Sequence, residues 1–451
     1  MSLAQLIPTD PLSRLRLSVM LLIAAVVAPA LFRLGCIKGL VRTIRVDGGS
    51  MAETLYGNHF RVTCGDCGIT FRCDADAFPD DRRAVCPNCG YRDNELRDED
   101  LRRGDRVLVD TWPYLWSAPR RGDMVMLIDP LPPDKTASPF AVKRIVALPL
   151  ERPGIRSGDL LADGKVVRKS LKELREVSLL VHDNDFLPRS LPAHQRWTPS
   201  EPNNSDWRAM RGGFHFMPAA DREEAQWLSY EHWHASASPA SRTTAATIQD
   251  NDSFNQAEAR GLNPLRDVLF QCHIRADSGD FILTLLDPPH KITLHLQLDS
   301  RRFLVLKNGS TIITDNLPRS AREFTVEAAL CDGRFLFAHN RHVVAAFGYD
   351  EMPVPGMTVP GDRQIAPGGT SLLQIGAYGG PLEISHLQVR RDIYHLSPNR
   401  LGGDWQADAP LADDEFFLLG DNSPVSIDSR HWDGIGVPGN SILGKVIATG
   451  R

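Results

Sequence analysis

A mainly β protein with one N-terminal helix is predicted by three features of the 451-residue sequence. Its 32 prolines and 35 glycines interrupt the chain too often for many long helices. Short apolar runs bounded by turn residues recur along most of its length. One stretch alone, Leu17 to Phe32 (LSVMLLIAAVVAPALF), is long, apolar and free of charge. The length exceeds one compact domain and implies roughly two to four. A formal net charge of -5 gives no reason to expect nucleic acid as a partner.

Taken as a helix, Leu17 to Phe32 spans about 24 Å, short of a hydrocarbon core of about 30 Å. Extension past Arg33 to Ile37 reaches the needed length if Arg33 snorkels to the headgroups. Residues 1–40 are therefore expected to be a tail and a retained membrane anchor. A cleaved signal sequence or a buried helix is the alternative, although Pro29 in Ala28-Pro29-Ala30 disfavours cleavage there. Arg14 and Arg16 precede the stretch, whereas Arg33, Lys38, Arg42 and Arg45 follow it. Positive charge alone would thus place the C-terminal side in the cytoplasm.

Thr43 to Val46 reads as a strand feeding a Gly48-Gly49-Ser50-Met51 turn, within a segment 41–63. Residues 64–100 hold Cys64-Gly-Asp-Cys67 and Cys86-Pro-Asn-Cys89, whose spacing suits a zinc ribbon. Four thiolates leave no open coordination position, so one structural zinc per chain is expected and no catalytic cofactor. Two disulfides are the alternative. Cys73 reads as a spare thiol, and Cys36, Cys272 and Cys331 as buried residues in apolar surroundings. Segment 101–169 returns to short strands: Gly104 to Val109, Arg121 to Ile128, Phe140 to Val146, and Leu160 to Val167 around Asp163-Gly164.

Residues 170–397 divide in two. Up to about Gly261 the chain is rich in Pro, Asn, Ser and Trp and shows no periodicity; His232 and His234 flank Trp233 in a segment that reads as structural. Strands then alternate at Asp267–Ile274, Phe281–Leu285, Ile292–Leu298, Phe303–Lys307, Phe324–Cys331, Arg334–His339, Val343–Phe347, Leu372–Ile375 and Leu382–Val389. Their regular spacing predicts a β-sandwich. Val326 to Val344 and Leu373 to Gly380 resemble concanavalin/laminin-G jelly rolls, in fold only.

Three short segments, in this order, resemble the type I signal peptidases, membrane-bound Ser/Lys proteases. They are Gly48-Gly49-Ser50-Met51, Val142-Lys143-Arg144, and Gly420-Asp421-Asn422-Ser423-Pro424-Val425-Ser426-Ile427-Asp428-Ser429-Arg430. The resemblance covers about half the chain and leaves the ribbon and the 170–397 insertion unexplained. It implies a β-rich catalytic core built from 41–63, 101–169 and 398–451, with Ser50 as nucleophile and Lys143 as base. Ser426 would orient the lysine amine, Asp428 and Arg430 would form a supporting ion pair, and Asp421 would sit in their turn. Gly48 stands where many relatives carry a serine that donates to the oxyanion, and Glu53 where they commonly carry proline. Met51 is expected to pack toward the membrane surface or the substrate.

The chemistry suits these residue types. A serine nucleophile needs a base, and a lysine is one at neutral pH only if burial lowers its pKa. Phe140-Ala-Val before Lys143 and Ile145-Val-Ala after Arg144 provide apolar surroundings. Strand alternation points Lys143 and Arg144 to opposite faces, so Arg144 can reach solvent or a carboxylate. The resemblance also implies removal of signal peptides from secretory preproteins after small residues. It places the catalytic body on the outer face of the plasma (inner) membrane as a single-pass protein in contact with lipid. A self-cleaving repressor peptidase shares this core, but the anchor and the lack of a helix-turn-helix pattern argue against it. A catalytically lapsed, membrane-anchored binding protein using the ribbon and the sandwich is the alternative from another class.

Overall fold

The computed structural model describes residues 10–37, 41–130, 139–191, 195–219, 224–233, 244–319, 322–349 and 371–448. The architecture is mainly β, with two α-helices among the described residues, Pro11–Ile37 and Leu171–Val177. The first forms where the apolar run was read. Among the described residues, however, no helix is long and apolar enough to cross a membrane. The membrane anchor is therefore not supported. Its uncharged run reaches only about 24 Å before Arg33 follows. The Cys36 side chain, like His234, lies outside what is described.

Seven antiparallel strands build the sheet that carries the site, in the order Val41–Arg45, Arg106–Asp110, Ile442–Ala448, Met124–Ile128, Phe140–Ala147, Glu415–Leu419 and Val437–Pro438. Strands from both ends of the chain are thus interleaved in one sheet. Alternating Val107, Val109, Val125, Leu127 and Ile145 are buried on it, as period-2 patterning requires. Met51 is 1% exposed and packs with Leu55, Val107, Val109 and Met126. It fills the core rather than facing membrane or substrate. A four-stranded sheet flanks this one, and the Asp159–Ala162/Lys165–Val166 hairpin turns at Asp163 and Gly164, both at positive φ.

Two larger antiparallel sheets share one core. One contains Val268–Ala276, Glu323–Cys331, Arg334–His339, His342–Gly348 and Leu382–Arg391; the other contains Asp280–Asp287, His290–Gln297, Arg302–Lys307, Ser310–Asn316 and Leu373–Tyr378. Every strand read from periodicity between Asp267 and Val389 is present, and Ser310–Asn316 is an addition. The stretch read as patternless also contributes: Leu179–Asp183, Trp207–Met210 and Gly213–Phe216 join the first sheet, Trp197–Pro199 and Gln226–Tyr230 the second. Trp197, Trp207 and Phe216 are buried in the shared core. These strands span three to five residues each, too few for alternation to register. Helix Leu171–Val177 was missed too, although Ser170 and Glu173 form a capping box that the Ser-x-x-Glu spacing announces.

Candidate active site

Lys143 lies in the strand Phe140–Ala147, whose neighbours are Met124–Ile128 on one side and Glu415–Leu419 on the other. Register pairs Lys143 with Val125, and Arg144 with both Met124 and Leu419. The Lys143 side chain is turned inward, and the residue is 3% exposed. Its ammonium donates to Ser426 Oγ at 3.1 Å. Burial is the largest influence on this amine and drives its pKa down; Asp428, Asp129 and Asp421 oppose it, and Arg430 assists. The balance lowers the pKa to about 8. Arg144, on the opposite face, donates through Nε and Nη2 to the two Asp421 oxygens at 2.8 and 2.6 Å. The carboxylate, not solvent, is its partner.

The turn after Leu419 is built on charge-assisted hydrogen bonds. Asp428 and Arg430 form an ion pair with both side chains fully buried. Arg430 Nε and Nη2 reach the two Asp428 oxygens at 2.8 and 2.7 Å, and the Gly420 amide donates to Asp428 Oδ2 at 3.0 Å. Arg430 Nη1 also donates to Leu396 O and Ser423 Oγ. Burial alone would raise the Asp428 pKa, but the nearby His431 ring, the hydrogen bonds from Arg430 and the nearby positive charges hold it well below the carboxylate range. Asp421 is likewise held below its ordinary value, because Arg144 outweighs burial.

Ser50 is half-buried in the turn that follows Val41–Arg45. Asn422 holds that turn twice: its backbone amide donates to Ser50 O at 3.1 Å and its side-chain amide to Gly49 O at 2.9 Å. A Cβ on Gly420 would lie 2.3 Å from both Ser426 Oγ and the Ser50 carbonyl oxygen, so only glycine lets the two turns meet. The Ser50 backbone and the Ser426 hydroxyl, which meets the Lys143 amine, are thus brought against the same glycine. Among the described residues no hydrogen bond joins Ser50 to Lys143; such contacts are often loose before substrate binds. Gly48 is exposed, and a Cβ there would meet nothing within 4 Å. The peptide between Ala52 and Glu53, where relatives were expected to carry proline, is cis.

Residues 92–206 and 386–449 match the model of the signal peptidase, peptidase S26 family. The match supports a signal peptidase family. Lys143, Arg144, Asp421, Ser426, Asp428 and Arg430 lie inside the matched segments, whereas Ser50 and the four paired cysteines precede them. No curated protein matches the chain. Among solved structures it is similar to a carbohydrate binding module from Bacillus subtilis at 10% identity, over 44% of this chain and 94% of that one, with a TM-score of 0.23. A galectin-like protein of unknown function from Bacillus subtilis gives 9%, 48%, 97% and 0.29 in the same order. The laminarinase catalytic domain from Thermotoga maritima gives 9%, 48%, 98% and 0.30.

Cys64, Cys67, Cys86 and Cys89 lie close together, compatible with a structural zinc site. Cys64 and Cys89 sulfurs stand 3.7 Å apart, as do those of Cys67 and Cys86. Zinc–sulfur bonds of about 2.3 Å in a tetrahedron place neighbouring sulfurs about 3.8 Å apart. The donors therefore fit the metal, and these spacings far exceed a disulfide bond of about 2.05 Å. Both knuckles close alike: the Gly68 and Gly90 amides, at positive φ, donate to Cys64 O and Cys86 O. Cys73 is a buried free thiol, its pKa pushed up to about 12 by burial. Cys272 is buried as expected. Cys331 is buried but not in apolar surroundings, because its thiol lies 3.3 Å from carboxylate oxygens of Asp332 and Asp392.

Three participants escaped the sequence reading. Asn422 stood inside the last motif without a role. Phe254 and Asn255 lie in the stretch without periodicity, and no sequence signal marked them.

Proposed function

We propose that this protein is a serine endopeptidase of the signal peptidase type, with Ser50 as nucleophile and Lys143 as general base. The observation that carries the reading is the buried Lys143 amine. It donates to Ser426 in a site where Asp428 and Asp421 are each engaged by an arginine. In the proposed reaction neutral Lys143 takes the Ser50 proton as Oγ attacks the scissile carbonyl carbon. The Ser50 backbone amide donates to the oxyanion, and Ser426 keeps the amine in place. The lysine then returns the proton to the leaving amine, and a water deprotonated by the same lysine hydrolyses the Ser50 ester. Substrates are signal peptides of exported preproteins cut after small residues, so the body works on the outer face of the plasma (inner) membrane, where such chains emerge. Zinc, when bound by Cys64, Cys67, Cys86 and Cys89, holds the ribbon and supplies no reacting group.

The test is cleavage of a labelled preprotein by the purified full-length chain. Ser50→Ala should leave no cleavage, and the rate of the unaltered protein should rise with pH through about 8. Cleavage by Ser50→Ala, or a rate tracking a group near pH 6.5, the ordinary histidine range, would overturn the reading.

A further inference from the structure

We infer that a strap within the 170–397 segment, residues 252–256, clamps the Ser50 turn, and that Asn255 is a positioning residue acting through Asn422. The inference rests on the peptidase reading of Ser50. Asn255 and Asn422 pair as two facing carboxamides: Asn255 Nδ2 donates to Asn422 Oδ1 at 2.5 Å, and Asn422 Nδ2 donates to Asn255 Oδ1 at 2.8 Å. The same Asn422 Nδ2 donates its second hydrogen to Gly49 O. An amide has two donor hydrogens on one end and an acceptor on the other, so the pairing fixes which end faces Gly49. Without Asn255 the Asn422 carboxamide can turn over and set Oδ1 against Gly49 O, two acceptors in contact. Asn422 itself is 1% exposed, so water cannot easily replace the lost partner.

The rest of the strap presses on the same turn. Phe254 is fully buried, and a Cβ on Gly49 would lie 2.5 Å from its ring. Phe254 packs with Tyr56 and Ala52, which follow the nucleophile in the chain. Ser253 Oγ donates to Glu53 at 2.6 Å. The strap is tied at both ends to other parts of the molecule. Arg391 Nη2, from the sandwich strand Leu382–Arg391, donates to Asn251 O. Gln256 exchanges two hydrogen bonds with the Val85 backbone beside the second cysteine knuckle. The sandwich and the ribbon, which the short catalytic core does not need, here converge on one loop that backs the nucleophile.

A misplacement of about 1 Å at a reacting group costs about 100-fold in rate. Asn255→Ala should therefore lower kcat by about 10- to 100-fold, with KM little changed and the pH midpoint of the rate unmoved, since Asn255 does not touch Lys143. Asn255→Asp keeps the acceptor for Asn422 Nδ2 but sets a carboxylate oxygen against Asn422 Oδ1, so it too should lower kcat. Rates are referred to folded protein at a temperature below the unfolding transition, so a merely structural loss would lower the transition and leave kcat unchanged. Ser50→Ala runs alongside. If Ser50→Ala is inactive while Asn255→Ala keeps the full kcat, the clamp is wrong and the peptidase reading stands. If Ser50→Ala still cleaves, the peptidase reading fails and the clamp with it. Should Asn255→Ala not fold, Asn255→Asp decides alone: an unaltered kcat overturns the clamp.

Discussion

Lys143 and Lys169 both lie in the interior, and their pKa values are driven in opposite directions. Lys143, 3% exposed, meets a hydroxyl, and its pKa falls to about 8. Lys169, with 15% of its side chain exposed, stands 2.8 Å from Asp332 and 2.7 Å from Asp392. There too burial is the largest influence and lowers the pKa. Asp392, Cys331 and Asp332 outweigh it, so the pKa is raised well above the ordinary value. Burial is common to both, so burial does not make a base. The difference is whether a carboxylate is free to answer the ammonium. Near Lys143 the carboxylates Asp428 and Asp421 are each gripped by an arginine, Arg430 and Arg144. Near Lys169 the aspartates have no such partner among the described residues, and the lysine itself serves as their counter-ion.

The largest effect expected from this contrast is on activity. On the proposed peptidase reading, in which base and nucleophile act as a unit, Lys143→Met should lower preprotein cleavage by on the order of 10⁴-fold or more. Lys169→Met should leave kcat unchanged in the folded protein. Equal losses in the two variants, measured below their unfolding transitions, would erase the distinction.

Stability should separate them the other way. Lys169→Met leaves Asp332, Asp392 and the neighbouring Asp267 buried without a counter-ion, and breaking a buried ion pair costs about 3–5 kcal/mol. Urea unfolding at pH 7 reads this directly; an unshifted midpoint would mean the aspartates are balanced by something else.

Arg430→Met offers a way to turn one environment into the other. It frees the Asp428 carboxylate, which already pulls the Lys143 pKa upward through space. The midpoint of the pH–rate profile should move up from about 8, by about one pH unit. A midpoint that stays in place would show that Asp428 lies too far from the amine to matter.

How much of this was legible differs by region for physical reasons. The sandwich strands from Val268 onward are mostly six to ten residues long and half-buried, so their alternation survives in the sequence. The short strands around Trp197, Trp207 and Phe214 carry too few residues to alternate, and tertiary packing alone assigns them to a sheet. The family resemblance singled out Lys143, Ser426, Asp428 and Arg430, and the Lys143–Ser426 and Asp428–Arg430 contacts bring these residues together. The Arg144–Asp421 pair was half-legible: alternation put Arg144 on the other face, but only the register with Leu419 delivers Asp421 to it. Asn255 was silent, since a carboxamide in a loop gains its role from a partner 167 positions away. The apolar run forms a helix as read, but among the described residues no helix is long and apolar enough to cross a membrane.

The smallest effect sharpens the contrast most, because its sign is opposite to that at Lys169. In the folded protein Lys143 loses its proton near pH 8, whereas in the unfolded chain it does so near 10.5. Below pH 8 both states are protonated, and the folded state carries the cost of a buried ammonium, about 3 kcal/mol for a lowering of this size. Between pH 8 and 10.5 the unfolded chain holds a proton that the folded protein has released, so stability gains with rising pH. Above that window the cost is gone. Lys143→Met removes it at every pH, so the inactive variant should be more stable than the parent at pH 7 by up to about 3 kcal/mol, less what the Ser426 hydrogen bond contributed. The advantage should shrink when urea midpoints are compared again at pH 9.5, inside the window from about 8 to 10.5. A gain independent of pH would mean that Met merely packs better. A loss at pH 7 would mean that the ammonium is answered by a carboxylate after all, as at Lys169.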